Sequence, residues 1–236
     1  MLSGHSRSAR GDATHGPMTT PFPALQAAIV DLDGTLVDTL ADFHVAINAM
    51  LDELALAPLT AHEIERMVGK GSEALIRSAL RAVGGDADLY PQAWVAYQRH
   101  YRAVNGRHAQ VYPGAREGLA RLRARGLKLA CVTNKPQAFA ETLLAAKGLE
   151  GSFEFVFGGD AFEQKKPHPL PLRRACEALG SQPRHTLMVG DSVNDALAAR
   201  AAGCPVALVT YGYNHGQPVR EVEADAYLDS LDELAL

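Results

Sequence analysis

AAIVDLDGT, residues 27–35, opens on a short apolar run and closes on two carboxylates that flank one leucine, followed by a glycine. A brief, almost wholly apolar run is what a strand buried on both faces of a parallel sheet requires. Side chains at i and i+2 of a strand share a face, so Asp31 and Asp33 converge where the strand opens into the turn at Gly34. Paired carboxylates can divide the work of ester cleavage, one attacking phosphorus while the other manages the proton. The pattern should arise by chance on the order of once in a thousand chains of this length, which makes an ordinary acidic turn a weak account of it.

Similar runs recur downstream at residues 127–133 (LKLACVT), 153–157 (FEFVF), 186–189 (TLMV) and 205–210 (PVALVT). Between them lie helical patterns at residues 114–125, 137–147, 170–179 and 194–202, followed by Gly126, Gly148, Gly180 and Gly203 where a left-handed residue would end a helix. Repeated β-α-β with glycine-ended helices predicts an α/β fold, a doubly wound, Rossmann-like parallel sheet. Residues 39–106 interrupt the pattern with no strand-like run. They predict a small all-helical cap inserted after the first strand, with helices at 40–54, 61–67, 72–82 and 91–103 and a capping box of Thr60 with Glu63. The division is therefore a tail at 1–22, a core domain at 23–38 and 107–236, and a cap domain at 39–106.

Three of the later strands are followed by polar chemistry. Thr133 and Asn134 could grip phosphoryl oxygens through a hydroxyl and nearby N–H groups. Lys165 and Lys166 precede Pro167, and an ammonium there could neutralise a transferring phosphoryl group. GDSVND, residues 190–195, is an oxygen-rich turn suited to a hard cation such as Mg2+. Singly, each is more often a turn, a solvated lysine or a helix cap. All fall at the carboxyl edge, where open α/β sheets bind ligands.

Bulk properties exclude several other roles. A formal charge of -4 with 47% hydrophobic residues describes a packed globular chain without a positive field for nucleic acid or anionic membranes. No run approaches the length of a membrane span. Cys131, Cys176 and Cys204 are widely spaced and read as buried hydrophobes in a reducing compartment, so the chain is expected in the cytoplasm. Monomer and homodimer both stay open. The tail, rich in Gly, Ser and charge, lacks a signal-peptide core, and Met18 offers a second start. Arg121, Arg123 and Arg125 read as a solvated helix face, Trp94, Tyr97 and Tyr101 as cap packing. His168 and His215 fall near the expected site loops without an assigned role.

With DLDGT, VTN, KKPHP and GDSVND in this order and a helical insert after the first, the chain resembles the haloacid dehalogenase superfamily from about Ala27 onward. The resemblance implies Asp31 as nucleophile, Asp33 as general acid and base, Thr133 as phosphate ligand and Lys166 as charge stabiliser. It also implies an Mg2+ site of Asp31, Asp191 and the backbone carbonyl of Asp33, supported by Asp195. Retention of Asp33 points to phosphate esters, because expelling a halide needs no acid. The stretches DLDGTLVDTLADF, GGDAFEQKKPHPLPL, GDSVNDALAARAAG and VTYGYNHG are most similar to bacterial phosphoglycolate phosphatases, which implies 2-phosphoglycolate as substrate. Phosphatases acting on sugar phosphates or nucleoside monophosphates are the nearest alternative. A phosphosugar mutase, a phosphonate hydrolase and an idle binding module are more distant. A carboxylate-bearing substrate needs a further cation, and Lys70, between Gly69 and Gly71 in the cap, is the expected one.

Overall fold

A computed structural model describes residue 22 and residues 24–234. The expected N-terminal tail lies outside these apart from Phe22, which is buried against the core.

Six parallel strands form one sheet in the order β5-β4-β1-β6-β7-β8. They are β1 (Ala27–Val30), β4 (Lys128–Val132), β5 (Phe155–Phe157), β6 (Thr186–Gly190), β7 (Val206–Val209) and β8 (Ala226–Leu228). Strand β1 is central, pairing Val30 with Cys131 on one side and with Val189 on the other. The chain winds outward from it first to β4 and β5, then to β6, β7 and β8. The crevice beyond its carboxyl end is therefore a topological switch point.

Alternation in the central strands explains why both faces are covered. Ala28, Val30, Leu129, Cys131, Leu187 and Val189 join one apolar cluster with α5 (Ala115–Ala124) and α6 (Gln137–Ala146). Ala27, Ile29, Ala130, Val132 and Met188 join another with α7 (Leu170–Leu179) and α8 (Val193–Ala202). A side chain of this size taken fully out of water contributes roughly 1.5–3 kcal/mol. The doubly wound sheet expected from the sequence is thus present, extended by the short edge strand β8.

The insert consists of α1 (Leu40–Glu53), α2 (Ala61–Glu65), α3 (Ser72–Ala82) and α4 (Tyr90–Val104). It has its own apolar cluster, in which Ile47, Met50, Ile64, Ile76, Tyr97 and Tyr101 are buried. Thr60 and Glu63 form the expected capping box at the start of α2. The cap leaves and rejoins the core through a ribbon too short to announce itself in sequence, β2 (Val37–Asp38) antiparallel to β3 (Gln110–Val111). Asp42, fully buried in the first turn of α1, accepts N–H groups from Gly106 at 2.7 Å and His108 at 2.8 Å. One carboxylate thereby clasps the outgoing and returning chains together.

Candidate active site

Asp31 follows directly on β1, its N–H donated to the Val189 carbonyl of β6 at 2.9 Å. Its Oδ1 lies 2.9 Å from Lys166 Nζ, an ionic contact, and accepts no directed hydrogen bond among the described residues. The Lys166 ammonium donates instead to the Val132 carbonyl at 2.7 Å and to Asp195 Oδ1 at 2.8 Å. Burial alone would lower its pKa, but the charges of Asp195 and Asp31 outweigh that and raise it.

Asp195 is fully occupied by this support. While Oδ1 holds Lys166, Oδ2 accepts from the N–H groups of Asp191 and Ser192, each at 3.2 Å, and from Ser192 Oγ at 2.8 Å. Ser192 and Asp195 make the capping box of α8, so a helix start is also the scaffold of the site. Asp191 is held from elsewhere, by Thr35 Oγ1 at 2.9 Å and the Tyr213 N–H at 2.6 Å. Gly34 makes room for it: the residue has φ +84°, and a Cβ there would fall 2.3 Å from Asp191 Oδ2.

Oxygens of Asp31, Asp191 and Asp195 lie within 4.8 Å of one another, all buried. Burial pushes the Asp31 carboxyl up from 3.8 to about 6, against the pull of Lys166 and helped by the charge of Asp195. Burial, then the charges of Asp195 and Asp31, drive Asp191 well above the ordinary range. With Asp33, four carboxylates meet two ammonium groups, those of Lys166 and Lys135. The donor set is all oxygen, its excess is two negative charges, and one buried oxygen lacks a donor, which together fit a hard divalent cation.

The second lysine is the residue the sequence reading missed. Lys135 Nζ donates to both oxygens of Asp33, at 2.8 and 3.0 Å, and to the Tyr101 hydroxyl at 2.6 Å. It sits 4.7 Å from the ring centroid of Phe43 and 4.9 Å from that of Tyr101. Both rings belong to the cap. Lys135 stands two positions after Thr133, in the bend that follows β4.

Thr133 is buried beside these groups, its Oγ1 accepting from the Lys135 N–H at 3.2 Å. Asn134 lines the cavity, but its amide nitrogen donates to the Lys166 carbonyl at 2.8 Å and to the Gly69 carbonyl of the cap at 2.9 Å. Its donors are spent on tying cap to core. Lys70, expected to face the site, is exposed, while its neighbours Gly69 and Gly71 line the cavity. Positive φ at both glycines brings the backbone to the core and leaves the lysine side chain at the surface. His215, unassigned from sequence, meets Asn194 Nδ2 at 3.1 Å, and that amide also donates to Gly69 O at 3.3 Å.

Asp31, Asp33, Thr133, Asn134 and Lys135 of the core and Phe43, Val68, Gly69, Gly71, Ser72, Leu75 and Tyr101 of the cap enclose a cavity of about 30 Å³. That is room for little more than ordered water.

The model of the haloacid dehalogenase-like hydrolases matches residues 25–203. The phosphoglycolate phosphatase of Nitrosospira multiformis is 47% identical over 219 residues, 92% of this chain and 96% of that protein. That of Thiobacillus denitrificans is 42% identical over the same 92% and 96%. A crystal structure from Haemophilus somnus 129PT, described as a predicted phosphoglycolate phosphatase, superposes with a TM-score of 0.86 at 31% identity, covering 90% of this chain and 97% of that one.

Proposed function

The chain belongs to the haloacid dehalogenase-like hydrolases, and from that premise we propose that it converts 2-phosphoglycolate to glycolate and inorganic phosphate through Asp31. One observation carries the chemistry: Asp31 lies in a buried cluster of carboxylates that fits a divalent cation, beside a Lys166 that among the described residues is held by core groups alone. The substrate rests on the relatives, which carry that name across most of their length.

In the proposed reaction an Asp31 carboxylate oxygen attacks phosphorus and the bond to the ester oxygen breaks. Asp33 gives its proton to the departing oxygen, and the aspartyl-phosphate remains. Asp33 then takes a proton from water, which attacks phosphorus and returns Asp31 and phosphate. Lys166 offsets negative charge beside the attacking carboxylate, and Thr133 supplies a hydroxyl for a phosphoryl oxygen.

Asp31, Asp191 and the Asp33 carbonyl would hold Mg2+, which would supply charge neutralisation between the carboxylate and the phosphate dianion. Asp195 serves by position, since Lys166 and the turn at Ser192 already use both its oxygens. A cavity this small requires the cap to open for substrate, and we take residues 38–39 and 106–107 as its joints. Free, buried Cys131, Cys176 and Cys204 support a reducing, cytoplasmic setting.

The test is phosphate release from 2-phosphoglycolate beside sugar phosphates and nucleoside monophosphates, with Mg2+, with chelator, and with Asp31→Asn as the blank. A kcat/KM at least about tenfold above every other ester, roughly 1.4 kcal/mol of selective transition-state binding, upholds the substrate. A flat profile that still needs Asp31 keeps the reaction and discards the substrate.

A further inference from the structure

Lys135, like Asn134, belongs to the core and finishes its shell in the cap, but it does so with a charge. Its carbonyl end is fixed beside β5, accepting the Gly159 N–H at 2.8 Å. Its ammonium crosses to Tyr101 of α4 and lies near the faces of Phe43 and Tyr101. The side chain is 2% exposed, against 11% for its partner Asp33.

A purely structural account is weak. An ion pair buried against aromatic rings is seldom more stabilising than apolar packing of the same volume, so a pair kept there invites another explanation. Lys135 supplies the cation among the residues that line the cavity. Lys70, the cation expected from sequence, is at the surface. Without Lys135 the cavity wall would present carboxylates to any anionic leaving group.

Resting on the phosphoglycolate reading above, we propose that Lys135 is the specificity-determining residue that receives the substrate carboxylate. In a phosphate ester of a 2-hydroxy acid one carbon separates the ester oxygen from the carboxylate, so a carboxylate oxygen lies within about 3 Å of the ester oxygen. A group that contacts Asp33, the proposed proton donor to that ester oxygen, is therefore within reach of the carboxylate as well. The three donors of the ammonium go here to both oxygens of Asp33 and to Tyr101, so a substrate carboxylate oxygen takes the place of one Asp33 oxygen while the other contact and Tyr101 are kept. The surrounding rings exclude water and strengthen the pair. The recognised class is small phosphate monoesters whose ester carbon itself carries a carboxylate. Esters of the same size without that charge leave the ammonium unanswered.

The test compares kcat/KM for 2-phosphoglycolate and for ethyl phosphate in the Mg2+-loaded wild type, Lys135→Met and Lys135→Arg, with thermal melting of each. Wild type should prefer the carboxylate ester by about 100-fold or more. In Lys135→Met the preference should shrink to within about tenfold, mainly through KM, and Lys135→Arg should recover most of it. Should the methionine variant fail to fold, Lys135→Gln, which can still bond Asp33 and Tyr101, gives the same ratio. A neutral variant that slows both esters alike, keeping the ratio, overturns the proposal and leaves the substrate reading standing. A wild type without preference for the carboxylate ester overturns both, with the Asp31 chemistry untouched.

Discussion

The two buried lysines of the site divide it into a floor and a seam. Among the described residues Lys166 is held only by core groups, Asp31, Asp195 and the Val132 carbonyl. Lys135 is shared between Asp33 of the core and Tyr101 of the cap. The floor is complete whatever the cap does, whereas the seam exists only while the cap is closed. Reaction chemistry thus sits on a fixed frame, and recognition is assembled on closure.

The largest expected effect tests the floor. Asp31→Asn should lower kcat by about 10⁴-fold or more, since the nucleophile is lost while its volume is kept. The same variant should melt higher than wild type in chelator at neutral pH, because it removes a buried charge that burial disfavours. Lys166→Met should cost about 10²–10³ in kcat, and roughly 3–5 kcal/mol of stability measured in urea, because Asp195 and Asp31 are left buried without their partner. Asn134→Ala, at the seam, should cost no more than about 1 kcal/mol and raise KM more than it lowers kcat. Equal losses in Lys166→Met and Asn134→Ala would break the division.

Metal removal sharpens the contrast through pH. In metal-free protein the folded Asp31 carboxyl has a pKa raised from 3.8 to about 6, so the folded chain binds its proton more tightly than the unfolded one. That contribution to stability is present below about pH 4 and is lost as pH rises towards 6, worth about 3 kcal/mol. Asp191, raised by the same burial, continues the loss to higher pH. Melting temperatures with chelator should fall across this window, and Mg2+ should restore them at neutral pH but not at pH 4. A metal-free melting curve that stays flat from pH 4 to 7 would contradict the cluster described above.

The smallest effect belongs to His215. Burial, with Lys70 nearby, lowers its pKa below 6.5, and the neutral ring is the form that accepts from Asn194 Nδ2. A depressed value means the folded state favours the neutral ring, so its contribution is present above pH 6.5 and fades as pH falls through the folded value. Hydrogen exchange at residues 66–71 should quicken modestly over that interval, and His215→Gln should remove the pH dependence. Acceleration of the same size around α7 would show general loosening instead of loosening at the seam.

Much of the floor was legible in the sequence because buried parallel strands are written as apolar runs and their last residues are polar. Asp31, Thr133 and Asp191 each sit where a run stops, and Lys166 lies in the loop between β5 and α7. The edge strand Ala226–Leu228 and the ribbon at Val37–Asp38 escaped because two or three residues carry no period. The seam was less legible for a different reason. Lys135 derives its surroundings from Phe43 and Tyr101, distant in sequence, and nothing local marks the meeting. Lys70 was misplaced because the left-handed glycines either side decide which way the loop faces, and a sequence does not state the sign of φ.

The stalk of the cap has one more consequence. Val37 pairs with Val111 and Asp38 with Gln110, so the chain departs and returns at points about 5 Å apart. An insert with such neighbouring ends behaves like a plug in a two-pin socket: the sheet beneath need not register what is plugged in. Recombination between genes, or an engineer, could exchange everything between these pins for another helical bundle and inherit the hydrolytic frame unaltered. The new module would then have to provide only its own aromatic partners for Lys135 and a buried acid in the role of Asp42 to close the stalk.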